Sequence, residues 1–225
     1  MSAHALQRNI VVTAPPAMRL VPGKRPSVED LYPRLFDAIL EQRIVPTSRF
    51  TEEGLAQEFG VSRSVLRRVL ARLAEQQVII LRPNLRAQVA APDAEQVKHI
   101  LEARRLMEVT VVQLACAQTN PGQVRRLREL VARQRTYVEQ GQQGPAIRLC
   151  GEFHLLLAAI AGNRPLAQFL NSLVPLTSLV IARQGAFSGT WREQTEIVEA
   201  VERRDAGTAA GLMSRYLDHL ESKLS

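Results

Sequence analysis

Aromatic residues make up only 4% of this 225-residue chain, and cysteine contributes just Cys116 and Cys150. A core with so few rings has to be built from Leu, Val, Ile and Ala, which favours helices over a β-sandwich. Two cysteines without CxxC spacing offer neither a disulfide framework nor a thiolate metal cluster. Long uninterrupted apolar runs are also missing: the richest stretch, 166–182, ends at Arg183, so no membrane span is expected. The first twelve residues lack the order of charge, apolar run and small-residue cleavage site that marks a signal peptide, which predicts a cytoplasmic protein. No GxSxG, Walker loop, HExxH or dinucleotide fingerprint occurs, and the four histidines and two cysteines form no linked nucleophile and base. Neither catalysis nor a cofactor is expected.

What is present is a globular composition, 46% apolar and 23% charged, long enough for two ordinary domains. The formal charge is +7, and its distribution is uneven: 13 basic and 8 acidic residues precede residue 92, against 16 and 14 after it. The basic excess therefore belongs to the first part of the chain, and nearly all of it is arginine, whose planar fork suits phosphate and guanine. A polyanionic partner follows.

Residues 1–26, with Pro15, Pro16, Pro22, Gly23 and Pro26 and no period, read as a flexible arm. Ser27 and Asp30 form a capping-box pattern ahead of a stripe through Leu31, Leu35, Ile39 and Leu40, with Pro33 expected to kink the helix or delay its start. Thr51 caps a second short helix ending at Gly60, and Ser62 caps a third from Arg63 to Gln76. Residues 78–81 and 87–91 read as two strands around a turn containing Pro83 and Asn84. Three helices followed by a ribbon is the order of a winged helix-turn-helix, assigned to 27–91. From residue 92 to 225 the pattern is helical only: six segments, 92–118, 123–140, 146–161, 165–184, 190–204 and 206–224, predict an antiparallel helical bundle. The fold class is thus mainly α.

In the third helix Leu66, Val69 and Leu73 occupy one side, which leaves Arg63, Ser64, Arg67 and Arg68 on the other. A solvated arginine face is the plain explanation, but with Gly60, Ser62 and the following ribbon the pattern favours double-stranded DNA, read by a helix in the major groove. The stretch LAQEFGVSRSVLRRVLARL at 55–73 resembles the winged helix of the GntR family of transcription regulators. Upstream Ile44, Pro46, Arg49 and Phe50, and downstream Asn84, Ala87 and Val89, carry the likeness further. The resemblance implies that Arg63 and Arg67 contact an operator beside Ser62, and that a homodimer reads two half-sites. The DNA-facing set is Arg49, Ser62, Arg63, Ser64, Arg67, Arg68, Asn84 and Arg86. Three positions depart from the family pattern: Val65 where proline is usual, Arg68 where an acid is usual, and Arg86 in place of a wing glycine.

The bundle resembles the ligand-binding domain of the FadR-type branch, through EARRLMEVTVVQLA at 102–115, EFHLLLAAIAGNRPLAQFL at 152–170 and EIVEAVERRDAGTAAGLM at 196–213. Many such domains bind a divalent metal through one Asp and three His. Here only His154 matches. Cys150, Gln194 and Tyr216 stand at the other three positions and His219 lies a turn away, so no metal is expected. Arg104 has two readings: it pairs with Glu108 four residues on, or it points inward and holds an organic carboxylate. Arg183 is a weaker candidate. Arg104, Cys150, His154, Gln194 and Tyr216 form the expected effector site. The resemblance implies a regulator, in the commoner case a repressor, whose operator affinity responds to a small-molecule effector. The alternative is a constitutive dimeric DNA-binding protein with a degraded effector site.

Overall fold

The structure, a computed structural model, describes residues 26–48, 50–82, 86–185, 187 and 189–224. The arm up to residue 25, Arg49 and the wing turn with Pro83 and Asn84 lie outside the described residues. Nine helices and one two-stranded ribbon are formed among them.

Helix α1, Val28–Leu40, opens with the reciprocal capping box: Ser27 Oγ accepts from Asp30 N at 3.2 Å, and Asp30 Oδ2 accepts from Ser27 N at 2.9 Å. The helix begins at once and runs through Pro33, so the proline does not delay it. Leu31, Leu35, Phe36 and Ile39 are buried on it, and that burial outweighs the one backbone bond a mid-helix proline removes. Helix α2, Glu52–Phe59, is capped by Thr51 and stopped by Gly60 at φ 66°, the left-handed turn that lets α3, Arg63–Glu75, start under its own Ser62 cap. The ribbon is shorter than 78–81 and 87–91: β1, Ile79–Ile80, pairs antiparallel with β2, Gln88–Val89. Val78 is drawn away by its N–H bond to Leu73 O and meets the ribbon again through Ala90 N at 2.8 Å.

Three boundaries in the bundle differ from the sequence pattern, two of them through a side-chain cap. Pro92 precedes helix α4, Ala94–Gln118, because Asp93 supplies a capping box with Gln96. Asn120 does the same for α5, Pro121–Glu139, which puts Pro121 at its first position instead of in a linker. Gly144 and Pro145 do not interrupt the chain but lie in the first turn of α6, Gln143–Ile160, where proline loses no bond. The remaining helices are α7, Arg164–Gln184, α8, Trp191–Glu202, and α9, Ala206–Leu224. By length and mean hydropathy (1.4) α7 would suffice to cross a membrane, but half of that window is buried against the rest of the fold, as in a core helix.

Helix α6 is the hub, packed against α1, α4, α5 and α7. At its start Gly144 meets α1 so closely that a Cβ there would lie 3.0 Å from the Asp37 carbonyl oxygen. One turn on, Arg148 is buried in the joint: its Nε and Nη2 donate to Asp37 Oδ1 and Oδ2 at 2.7 and 3.2 Å, and its Nη1 to Glu152 at 2.8 Å. A second polar seam links α1, α3 and α7, where Tyr32 donates to Gln76 at 2.8 Å and Gln76 donates to Asn171 at 3.3 Å. The helix-turn-helix unit is thus bolted to the bundle through α1, and the buried side chains form one continuous core.

Arg148→Met leaves the Asp37 carboxylate in that joint without its cation, and should cost about 2–4 kcal/mol in urea unfolding at neutral pH. Burial already holds the Asp37 carboxyl above its ordinary range, against the pull of Arg148, so protonation should shrink the deficit as pH falls. An Arg148→Met, Asp37→Leu double variant should recover most of it. A deficit independent of pH, or no recovery, would show that the joint is held by packing alone.

Candidate functional site

Two separate groups of side chains carry the chemistry. On the outer face of α3, Arg63, Ser64, Arg67 and Arg68 are exposed, and Arg86 is exposed beyond the wing turn. Ser62 Oγ accepts from Val65 N at 3.3 Å and lies 3.0 Å from Ser64 Oγ, so both hydroxyls sit at the positive start of α3. Arg72, also exposed, lies over the Tyr32 ring, with its guanidinium carbon 3.8 Å from the centroid. The result is a helix whose solvent side is basic and whose other side, Leu66, Val69, Leu70 and Leu73, is locked in the core.

The second group is buried where α4, α6, α8 and α9 meet. Arg104 Nε donates to Glu108 Oε1 at 2.6 Å, with only 2% and 1% of the two side chains exposed. The other carboxylate oxygen of Glu108 accepts from His154 Nδ1 at 2.5 Å. The His154 ring lies 4.8 Å from that of Tyr216, whose hydroxyl is 3.4 Å from Cys150 Sγ. Gln194 Nε2 donates to the Cys150 carbonyl at 3.2 Å and approaches its sulfur at 3.4 Å, and Thr190 Oγ1 lies 3.2 Å from the sulfur. All five expected side chains are therefore brought together; Arg104 points inward, and the carboxylate it pairs with there is that of Glu108. Glu108 is the member whose central place the sequence did not reveal, since its spacing from Arg104 is equally that of a surface pair. Thr190 was missed outright. Arg183 and His219 are not part of the group: Arg183 is exposed, and His219 is bonded to Glu193 at 3.0 Å.

Burial opposes charge throughout this cluster, yet the ions hold. Burial would raise the Glu108 carboxyl, but Arg104 and His154 outweigh it and bring the value down to about 2. Burial would likewise lower His154, but the Glu108 charge and the neighbouring Cys150 raise it above its ordinary value. The Cys150 thiol is pushed up by burial and pulled down further by His154, Thr190 and Tyr216, while burial and Cys150 hold the Tyr216 phenol well above its usual range. Three buried atoms, Arg104 Nη2, His154 Nε2 and Gln194 Oε1, have no hydrogen-bond partner among the described residues. A small cavity on the Cys150 and Tyr216 side of the cluster, walled also by Ile181, Phe187, Thr190, His219 and Leu220, holds only about 20 Å³, enough for one water; Arg104, His154 and Gln194 do not line it. A much larger hollow of about 780 Å³ lies elsewhere, between the ribbon and the start of α4, with a mainly apolar wall.

This donor set does not fit a divalent metal. His154 offers one free nitrogen, Gln194 turns its amide N–H to the sulfur, and the Tyr216 phenol stays protonated. Among the described residues no group of three or more His, Cys, Asp or Glu is arranged to hold an ion.

Comparison with known proteins agrees with both halves. The pattern described as bacterial regulatory proteins, gntR family, matches residues 27–89, and that of the FCD domain matches residues 99–219. This chain belongs to the GntR family. It is a transcription regulator, not an enzyme, with a GntR DNA-binding domain and an FCD effector-binding domain. The HTH-type transcriptional repressor RspR of Escherichia coli is 24% identical over 206 residues, 89% of this chain and 90% of that protein. The Uxu operon regulator of Haemophilus influenzae is 23% identical over 196 residues, 77% of this chain and 72% of its own length. The fold is shared with Escherichia coli McbR/YncC at a TM-score of 0.71 and 17% identity, over 88% of this chain and 96% of that one. A GntR regulator from Rhodococcus sp. RHA1 follows at 0.69 and 21%, with the same coverage.

The two shifted groups set a pH signature. The depressed Glu108 value gives stability that is complete above pH 4.5 and fades as pH falls toward 2. The raised His154 value gives stability that is complete below pH 6.5 and fades as pH rises through its folded value. Melting temperature should therefore fall on the alkaline side in the wild type. In Glu108→Gln, burial and Arg104 favour neutral His154, so the slope should reverse and stability should rise with pH between about pH 5 and 7, levelling off above. Parallel slopes for the two proteins, measured by circular dichroism melts, would dissociate His154 from Glu108.

Proposed function

We propose that this protein is a cytoplasmic, homodimeric repressor whose operator affinity is lowered when a small organic acid enters the Arg104–Glu108–His154 cluster. In this reading residues 27–91 bind the operator, and residues 92–225 sense the acid and carry the dimer contact. The observation that carries it is charge: with His154 protonated, one buried carboxylate faces two cations, and the spare donors Arg104 Nη2 and His154 Nε2 suit a carboxylate. Gln194 Oε1 is a spare acceptor for a hydroxyl on the same ligand. Repression as the sign of control is supported by the likeness to RspR, a transcriptional repressor.

The route from sensor to operator runs through α6. Its buried faces present Cys150 and His154 to the cluster, and Gly144 and Arg148 to α1 of the DNA-binding unit. Because α6 is close-packed, a shift that makes room for a ligand is felt at both contacts. Phe187 walls the small cavity on the Cys150 and Tyr216 side of the cluster.

The cavity of about 20 Å³ favours the second reading, a constitutive binder whose effector site has closed for good. Thermal melts and operator binding with a panel of small mono-, di- and hydroxycarboxylates separate the two. The expected outcome is a raised melting temperature and weakened operator binding with one acid class, both reduced in Arg104→Lys, which keeps a cation beside Glu108 but lacks the second terminal nitrogen. No shift with any acid, in a protein that binds its operator, favours the constitutive reading. An Arg63→Ala, Arg67→Ala double variant should lose operator affinity by about tenfold or more at moderate salt. Unchanged binding would remove α3 as the reading helix.

A further inference from the structure

Two of the exposed arginines of α3 are already paired with acids. Arg63 and Arg67 lie one turn apart, and each meets an acid from the first turn of the preceding helix: Arg63 Nη2 pairs with Glu53 Oε1, and Arg67 Nε donates to Glu52 Oε2 at 2.6 Å. Both pairs are solvent-facing, with 67% of the Arg67 side chain and 42% of Glu52 exposed. Exposed ion pairs add little to stability, which gives little reason for placing two acids against a DNA-reading surface. Near phosphates those acids are a cost.

Their geometry suggests what they give in return. Glu52 begins α2, where the helix dipole and the Thr51 cap favour a carboxylate, and α2 is held to α3 by buried Leu55, Ala56 and Phe59. The backbone of Glu52 is therefore a fixed point from which its carboxylate reaches Arg67. That carboxylate takes the Nε–H of Arg67 from the side, which orients the guanidinium plane and leaves the Nη1 and Nη2 end free. That end carries two parallel N–H groups, the fork that matches guanine N7 and O6 in the major groove. Arg63 is held differently, through a terminal nitrogen, which leaves its fork partly taken and suits it better to a phosphate.

We propose that Glu52 is a specificity-determining positioning residue: it aligns Arg67 for bidentate reading of one guanine, and its charge discourages Arg67 from settling on a phosphate instead. The gain is discrimination more than affinity, since a pre-oriented fork loses less rotamer freedom on the right base and a nearby carboxylate penalises the wrong contact.

The test uses the full-length protein and a duplex selected by the wild type from a random-sequence library. Binding is measured to that duplex, to each single-base-pair variant of it and to unrelated duplex of equal length, at several salt concentrations, for wild type, Arg67→Ala, Glu52→Ala and Glu52→Gln. Arg67→Ala should erase preference at one G·C pair. Glu52→Ala should reduce preference at that same pair about three- to tenfold while binding unrelated duplex as tightly as wild type or more so. Glu52→Gln, whose amide oxygen still accepts from Nε, should retain most of the preference. Retained binding of unrelated duplex by Glu52→Ala also shows that its DNA-binding unit is folded. A single common factor for all duplexes in Glu52→Ala would reduce Glu52 to bulk electrostatics and overturn the proposal, as would loss of preference at a different pair. A wild type that selects no sequence at all would instead refute operator recognition itself, and a selected duplex on which Arg67→Ala changes no preference would remove Arg67 as a base reader.

Discussion

Helix α6 is enclosed by four other helices, and thirteen of its eighteen residues are buried. That enclosure is the constraint on which the rest of the structure turns, because a polar side chain on such a helix finds an internal partner or destabilises the fold. Arg148 finds Asp37 and thereby ties α1 to the bundle, while His154 finds Glu108 and thereby draws Arg104 inward. The two ends of the protein's business, contact with the DNA-binding unit and the buried ionic cluster, are consequences of the same crowded helix. Neither ion group is a stabiliser in the simple sense: buried pairs roughly repay their own desolvation, and what they add is a fixed geometry.

The helices were largely legible in the sequence because their signals are local. Ser27 with Asp30, Thr51, Ser62 and Gly60 announce their helix ends within four residues, and the structure places the caps there. Where local signals compete, the sequence pattern was ambiguous. Asn120, Pro121 and Gly122 look like a helix stop, yet Asn120 is a cap and Pro121 a first residue, since a three-residue punctuation serves the end of one helix and the start of the next equally well.

The candidate site was legible only in part, for the opposite reason. Periodicity brings Cys150 and His154 to one side of α6, and family resemblance points to Gln194 and Tyr216, but which carboxylate balances the histidine depends on how α4 rotates against α6. Arg148 was passed over altogether, although a lone arginine between Ile147 and Leu149 in an apolar helix is the kind of residue that has to be paired inside. Thr190 lies in a connection, and nothing in its neighbours announces that the chain there turns back over the cysteine.

The cavity beside Cys150, with room for one water, has a consequence in time. If a ligand is to reach a cluster this tightly shut, the protein first has to visit an opened form, and the observed affinity is diluted by the rarity of that form. Association is then paced by that opening and not by diffusion, so raising the ligand concentration speeds the response only up to a ceiling. The same closure that delays capture also delays escape. In the proposed reading such a regulator would follow sustained changes in its environment and ignore brief ones, a filter set by how often the closed cluster opens.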